Sequence, residues 1–398
     1  MRVFLVAGAG LATGGTELLH QFSRCLSDNG IESYMIYPDA DSIKCPTPET
    51  FLKYGVKYVN RYVDDYDAVL VLAETQVHLA RECVKGTVML WWLSVDNYLL
   101  SYREQFKRES FDLFDLKSRK NILHFVQSQY AKEFLEKYMG IANSHFLMDY
   151  INDDIMEAAA LCQNAYDRKN ICLYNPKKGY ETLKPIMDSC REDIKWMPLT
   201  GYTPAEMAEL MCQAKLYVDF GHHPGKDRIP REAAICGCCI LTNRMGSAAY
   251  QEDVGIPECY KIEDTGNISL VLDKIYDLVD YYEERKEEYS GYRAIVAGEK
   301  AGFMKDLKNA IDILKDCVGA RSRNICFDGV KYEKMIGSIG NAAEQLGGLM
   351  AAARMDCLHE NRSQMANKLL TADYVIQVIR ETIYAQLIDL AEENNPEE

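Results

Sequence analysis

Two blocks of alternating strand-like and helix-like segments constrain the fold of this chain most. The first block has five apolar strand-like segments, among them AVLVLA (68–73) and TVMLWWLS (87–94), with helix-like stretches between them. The second block starts with ICLYNP at residue 171, after a stretch without a strand pattern at 150–169. Such alternation is typical of parallel sheets joined by right-handed helical crossovers. The sequence therefore predicts an α/β fold with two parallel-sheet domains, 1–150 and 151–318, facing across a cleft.

Residues 319–398 have a different pattern, without strand-like segments. The segment TADYVIQVIRETIYAQLIDLAEE has the periodicity of an amphipathic helix. Its apolar stripe consists of Val375, Ile376, Ile379, Ile383, Leu387 and Leu390. An apolar stripe needs a surface that covers it. We therefore expect a C-terminal α-helical extension that mediates self-association or docking of a partner protein.

Composition limits the partners and the compartment. The net charge of −15 disfavours nonspecific binding to nucleic acid. The apolar runs fall short of the ~20 residues that span a bilayer. The N-terminal MRVFLVAGAG flows into a Gly-rich turn, which favours a first strand over a signal peptide. The 14 cysteines then indicate reduced, mostly buried side chains, and we expect a cytoplasmic protein.

A glycine-rich stretch, VAGAGLATGGTE, joins the first predicted strand to a helix. Glycines allow close approach of an anion, and a helix N-terminus offers unpaired N–H groups. We expect Gly14, Gly15 and Thr16 to contact an anion or an acceptor. A turn needed only for packing and an NAD site are the alternatives, although the glycine spacing fits the dinucleotide fingerprint poorly.

Polar residues follow the fourth predicted strand in WWLSVDNYLL. Loops at strand ends of this kind often carry binding or catalytic side chains. Asp96 is placed to orient a hydroxyl or to act as a base. Alternatively, Asp96 caps the following segment.

Two lysines precede a glycine in YNPKKGYE, after the first strand of the second block. A phosphate is favoured there by the lysine charge and by the helix N-terminus. We therefore expect Lys177 and Lys178 to bind a phosphate group, with ordinary surface lysines as the alternative.

The stretch DFGHHPGKDRIPREAA, residues 219–234, combines histidines, basic residues and prolines. Adjacent histidines point apart on an extended chain, and no Ser or Thr follows the lysine, so neither a metal site nor a Walker site is expected. Lys226 and Arg228 are available for phosphate, and Glu232 for sugar hydroxyls. A solvated surface ion cluster is the alternative.

The order of these motifs, over residues 1–315, resembles the GT-B glycosyltransferases, which have two facing Rossmann-like domains. The resemblance rests on GGTELLHQFSRCLSDNGIESYMIYP, VQSQYAKEFLEKYMG, NPKKG and REAAICGCCILTNRMGSAAYQED. In retaining members a Glu-x7-Glu motif spans the loop and helix start. Glu232 matches the second glutamate, whereas Pro224 stands at the position of the first.

The resemblance implies transfer of a sugar from a nucleotide-sugar donor, such as a UDP- or GDP-sugar, to a glycan or glycoconjugate, as in polysaccharide biosynthesis. It implies no metal, no further cofactor and a retaining outcome. Lys178, Lys226 and Arg228 would stabilise the diphosphate leaving group, and Glu232 would bind the ribose. The turn at Gly246 and Ser247 would approach the donor.

The missing first glutamate leaves two further interpretations open. His222, His223 or Asp227 would have to replace it, and we expect His223 to contact the donor. If none of them does, the chain is a catalytically silent GT-B module that binds a nucleotide sugar or supports a partner enzyme. An NAD-dependent enzyme is the third interpretation.

Overall fold

The computed structural model describes residues 1–38, 40, 45–107, 111–151, 153–162 and 166–323, and in the C-terminal part 344, 346–352, 368–369, 371–372 and 376. The chain forms two compact units, Met1–Val318 and Gly319–Glu398. Of the six residues in the apolar stripe predicted for the tail, only Ile376 is described, so that prediction lies outside the described residues. In the described part of the chain, no helix is both long and apolar enough to cross a membrane.

The first sheet has seven strands, all parallel, in the order β3-β2-β1-β4-β5-β6-β7. Apolar residues fill its central strands, as burial on both faces requires. The strands are β1 Arg2–Val6, β2 Glu32–Ile36, β3 Tyr58–Val59, β4 Ala68–Ala73, β5 Thr87–Trp92, β6 Ile122–Val126 and β7 Ser144–Phe146.

The second sheet has five strands, also parallel, in the order β12-β11-β10-β8-β9. The two parallel sheets confirm the predicted α/β class. The strands are β8 Lys169–Tyr174, β9 Lys195–Pro198, β10 Ala214–Asp219, β11 Cys239–Asn243 and β12 Lys261–Ile262.

Helices connect the strands and cover the sheets. Their ends follow local rules: Ser94 and Ser128 accept the backbone N–H groups that open two of them, and Thr203 forms a capping box with Glu206. The helices are α1 Gly14–Asp28, α2 Val95–Ser101, α3 Arg103–Phe106, α4 Gln129–Phe134, α5 Asp153–Cys162, α6 Tyr180–Ser189, α7 Pro204–Gln213, α8 Arg228–Ile235, α9 Ile268–Asp280, α10 Tyr282–Glu288 and α11 Ser290–Arg323.

Helix α11 belongs to the cores of both sheets. Tyr292 and Val296 pack in the apolar cluster of the second sheet. One turn or more further on, Phe303 and Leu307 pack with the first sheet and α1. Because one helix contributes to both cores, the arrangement of the two sheets is fixed by burial of apolar surface.

A buried ion cluster ties the same parts of the chain together. Arg231 of α8 donates to Glu299 of α11 (2.8 Å) and to Asp149 (2.7 Å), which follows β7 of the first sheet. The ammonium of Lys226 lies 2.9 Å from the other oxygen of Glu299. Burial alone would raise the pKa of Asp149, but the charge of Arg231, helped by Lys226, outweighs burial and lowers it. Asp149 therefore stays ionised inside the protein.

We predict that Arg231→Met lowers the free energy of unfolding by roughly 3–5 kcal/mol, because Asp149 would remain as a buried charge without its cation. Urea denaturation measures the change. Arg244→Met is the matched control, since Arg244 pairs with Glu258 and Glu263 at the surface and should contribute less than about 1 kcal/mol. Equal losses in the two variants would contradict the prediction.

Candidate functional site

A cavity of about 520 Å3 lies where the carboxyl ends of the two sheets face each other. The first sheet contributes the segments that follow β1, β4, β5 and β6, and the second sheet contributes the segment Pro224–Arg228 after β10. Ligands of open α/β sheets bind at this edge. The cavity is therefore the candidate functional site.

The glycine-rich stretch forms one wall of the cavity. Gly14, Gly15 and Thr16 all line it, as the first residues of α1. Thr13 and Thr16 form a reciprocal capping box, and the Thr16 hydroxyl also donates to Leu11 O (2.7 Å). The structure thus brings the three predicted residues to the cavity, with the Thr16 side chain already engaged in the turn.

The segment Pro224–Arg228 forms the opposite wall, and the loop 221–225 that leads into it is held from behind by the turn after β11. Ser247 donates its backbone N–H to His223 O (2.9 Å) and its hydroxyl to Gly225 O (2.6 Å). Gly246 has a φ of 62°, and a side chain there would overlap His223 O. Gly246 and Ser247 are absent from the described cavity lining, so in this structure they position the loop.

The predicted phosphate ligands are mostly paired with acids. Lys178 forms an ion pair with Asp227, and Arg228 forms one with Glu17 of α1 across the cavity. Lys226 is the cation of the buried cluster described above, although it also lines the cavity.

Glu17 shows how strong the Arg228 pairing is. Burial would raise the pKa of Glu17, but the charge of Arg228 and a hydrogen bond from Tyr54 (2.7 Å) lower it. Lys177 differs from the other cations: it is exposed at the start of α6, and no acidic partner of it occurs among the described residues.

His223 is fully buried between two carboxylates. Its Nδ1 lies 3.0 Å from Asp227 and its Nε2 lies 3.8 Å from Asp219. The ligand atoms of these three residues lie within 4.8 Å of one another, the spacing of a possible metal site. Lys178 already neutralises Asp227, and Tyr217 donates to Asp219 (2.7 Å). The expectation that no metal is needed stays a prediction.

Glu232 lies in the second turn of α8, 6% exposed. Burial raises its pKa, against the lowering effect of Arg228 and Arg231. Within the described part of the chain, its carboxylate has no hydrogen-bond partner. A largely buried carboxylate of this kind is costly unless water or a ligand donates to it.

Asp96, in α2, contacts both another helix of the first domain and the second domain. It accepts a hydrogen bond from Tyr130 of α4 (2.8 Å) and pairs with His222. The alternative that Asp96 caps the segment is wrong in detail, because the cap of α2 is Ser94. The described cavity lining contains Ser94 and Asn97 but not Asp96.

Solved structures with the same architecture are glycosyltransferases. A glycosyltransferase from Rickettsia africae is 13% identical, with 80% of this chain and 98% of that chain covered and a TM-score of 0.57. Sucrose-phosphate synthase from Thermosynechococcus elongatus is 13% identical, with 80% and 99% covered and a TM-score of 0.57. The chain has the GT-B fold. No family model and no curated protein matches it.

A third GT-B structure carries a donor. HepE of Anabaena, solved in complex with UDP-glucose, is 10% identical, with 79% of this chain and 100% of that chain covered and a TM-score of 0.54. Identities this low establish the fold and leave the activity open.

Sequence reasoning missed Glu74, which follows β4 and lines the GT-B cleft. Glu74 is 3% exposed, and its Oε2 accepts the backbone N–H of Leu93 (2.9 Å). Burial raises its pKa to about 7, against the lowering effect of the backbone N–H groups. Its position directly after a fully apolar strand was the only signal in the sequence.

We predict that Glu74→Gln stabilises the protein above pH 7. The raised pKa means that the fold disfavours the ionised form; this penalty is absent below the unfolded pKa of about 4.5 and complete above about 7. The difference in the free energy of unfolding between Glu74→Gln and the wild type should reach roughly 3 kcal/mol at pH 8 and vanish at pH 4.5. Thermal unfolding at the two pH values measures it.

A glutamine at position 74 keeps an oxygen for Leu93 N–H, so the fold should be retained. Glu209→Gln, at an exposed position, is the control and should change neither melting temperature. A melting temperature of Glu74→Gln below that of the wild type at pH 8 would contradict the prediction.

The two walls of the cleft meet at Gly225. A side chain at Gly225 would overlap the carbonyl oxygen of Leu93, at the end of β5. We predict that Gly225→Ala lowers the free energy of unfolding by about 1–3 kcal/mol, because backbone must move to make room. Gly298→Ala is the control: Gly298 lies in α11 with open space around it, so alanine should be neutral or stabilising. Equal stability of both variants would show that the walls do not pack this closely.

Proposed function

We propose that this chain is a glycosyltransferase that moves a sugar from a nucleotide sugar to a glycan or glycoconjugate without a metal ion. Glu232 carries the proposal: it is a buried carboxylate without a hydrogen-bond partner among the described residues, in the second turn of α8, whose first residue, Arg228, lines the cavity. Paired hydroxyls of a ribose are suitable donors for such a group. The UDP-glucose complex of HepE supports a nucleotide sugar as the class of donor.

Donor binding, in this proposal, exchanges ion pairs. The diphosphate replaces Asp227 at Lys178 and Glu17 at Arg228, so that two existing cations become available without a large desolvation cost. Lys177 adds an unpaired charge at the N-terminus of α6, where an anion is further favoured. Lys226 contributes from the buried cluster, because Glu299 keeps it in place.

Pro224, which stands where the Glu-x7-Glu motif has its first glutamate, lines the cavity. Of the three residues that could replace that glutamate, Asp227 lines the cavity as well, whereas His223 is fully buried and His222 pairs with Asp96. We therefore favour Asp227 as the group that faces the donor, with His223 holding it from behind at 3.0 Å.

We predict that UDP or GDP raises the melting temperature of the protein, whereas NAD does not. A thermal-shift screen against UDP, GDP, CDP, ADP and NAD measures this, since a ligand that binds the folded state stabilises it by mass action. Glu232→Ala should abolish most of the shift, because the ribose loses its acceptor. Glu209→Gln should leave the shift unchanged. Stabilisation by NAD alone would refute the proposal.

Turnover separates an enzyme from a silent module. Incubation with UDP-glucose, UDP-galactose, UDP-N-acetylglucosamine and GDP-mannose, with simple sugars as acceptors, should release free nucleotide. Nucleotide binding without any release would instead show the silent module.

A further inference from the structure

We propose that Glu74 accepts the proton of the hydroxyl group that attacks the donor sugar. This inference rests on the proposed function, and it assigns the proton acceptor to a residue other than Asp96. Glu74 lies in the wall that the first sheet contributes to the cavity, together with Gly14, Gly15 and Thr16, which are expected to contact an anion or an acceptor.

Three carboxylates of the described residues line the cavity, and Glu74 differs from the other two. Asp149 pairs with Arg231, and Asp227, which pairs with Lys178 until the diphosphate takes its place, faces the donor from the wall opposite Glu74. No cation pairs with Glu74 within the described ranges. A carboxylate paired with a cation holds its negative charge and is a poor proton acceptor, whereas an unpaired buried carboxylate gains stability by taking up a proton. Among the cavity carboxylates, Glu74 is therefore the one suited to this step.

The backbone fixes the position of Glu74. Its Oε2 accepts the N–H of Leu93, directly after β5, and Glu74 itself directly follows β4. Both strands are central in the seven-stranded sheet. A proton acceptor on rigid strand ends keeps its geometry during the reaction, as general-base catalysis requires.

The charged groups around Glu74 favour the same assignment. Tyr102 is the titratable group on its own side, where burial and then the charge of Glu74 raise the pKa of the tyrosine. His78 hydrogen-bonds to the Tyr102 hydroxyl (3.0 Å) and completes that side. Across the cavity lie Asp149, Lys226, Asp227 and Arg228, and each of these is engaged in an ion pair. In the part of the chain that the structure describes, no neighbouring cation is therefore left to hold Glu74 ionised.

Asp96, the residue favoured by sequence reasoning, is already occupied. Tyr130 donates to one of its oxygens and His222 pairs with the other. It is also absent from the described cavity lining. Asp96 is therefore a positioning residue between α2, α4 and the 221–225 segment.

The step balances without a further reactant. The hydroxyl oxygen of the acceptor forms a bond to the anomeric carbon, and the bond from that carbon to the diphosphate oxygen breaks, which inverts the configuration at that carbon and so differs from the retaining outcome that the resemblance implies. The diphosphate leaves with the electron pair, and the hydroxyl proton moves to a carboxylate oxygen of Glu74. Solvent then removes the proton from Glu74 before the next turnover. Water in place of the acceptor gives hydrolysis by the same step.

Glu74→Gln is the decisive variant. Glutamine keeps the acceptor for Leu93 N–H but does not take up a proton at neutral pH, so it separates catalysis from support of β5. Nucleotide release from the fastest-reacting sugar of the four above, with water and with simple sugars as acceptors, provides the rate. We expect at least a hundredfold loss of kcat in Glu74→Gln, with UDP or GDP binding within twofold of the wild type.

The pH profile gives a second readout. The carboxylate form is active, so the wild-type rate should fall tenfold per pH unit below the pKa of Glu74, which is about 7, and level off above it. This fall in rate at acidic pH, the acidic limb of the profile, should be absent in Glu74→Gln. A purely structural role for Glu74 would leave the profile of the glutamine variant unchanged.

Each other outcome overturns the inference. Retention of the wild-type rate by Glu74→Gln would show that Glu74 only supports β5. Loss of the acidic limb in Asp96→Asn, with the limb retained in Glu74→Gln, would assign the proton acceptor to Asp96. A wild-type protein that binds UDP or GDP but releases no nucleotide would refute proton transfer while nucleotide binding stood. A wild-type protein that binds none of the nucleotides would refute the proposed function itself.

Discussion

The buried cluster of Arg231, Asp149, Glu299 and Lys226 sets the geometry on which the cleft depends. Its members come from α8, from the chain after β7, from α11 and from the loop before α8. Buried charges are tolerated only when all of them are paired at once, so these four segments must come together in one arrangement. The segment Pro224–Arg228 contains Lys226 and ends three residues before Arg231, and it is thereby fixed opposite the glycine-rich wall of the cavity.

The same rule shapes the surface of the cleft. Glu17 and Asp227 pair with the cations that the proposed diphosphate would need, and their pKa values are lowered although Glu17 is buried and Asp227 is half-buried. An anionic ligand that displaces them returns carboxylates to solvent and keeps the cations paired. The affinity for the ligand then depends on the difference in free energy between the ion pairs that are broken and those that the ligand forms. This difference favours a diphosphate over a single weak anion. Closure of the walls at Gly225 and Leu93 would strengthen that exchange by excluding water.

The long central strands could be predicted from the sequence, because apolar runs such as Ala68–Ala73 carry a clear period. The edge strands β3 and β12 have two residues each and offer no period to detect. The site was harder. Lys226 was predicted as a phosphate ligand, but its partner Glu299 is 73 residues away, and only the fold reveals the pairing. Gly246 and Ser247 were predicted near the donor, whereas their contacts with the 221–225 loop depend on the packing of two strand ends.

Glu74 and Asp96 show why residue type at a strand end does not settle chemistry. Both carboxylates follow neighbouring strands of one sheet, at the edge where ligands bind. Asp96 is held by Tyr130 and His222, and its role follows from those contacts. Glu74 faces backbone N–H groups and a cavity, so its protonation state responds to whatever enters the cavity. Two similar carboxylates thus acquire different roles from their partners, which the sequence around each residue does not specify.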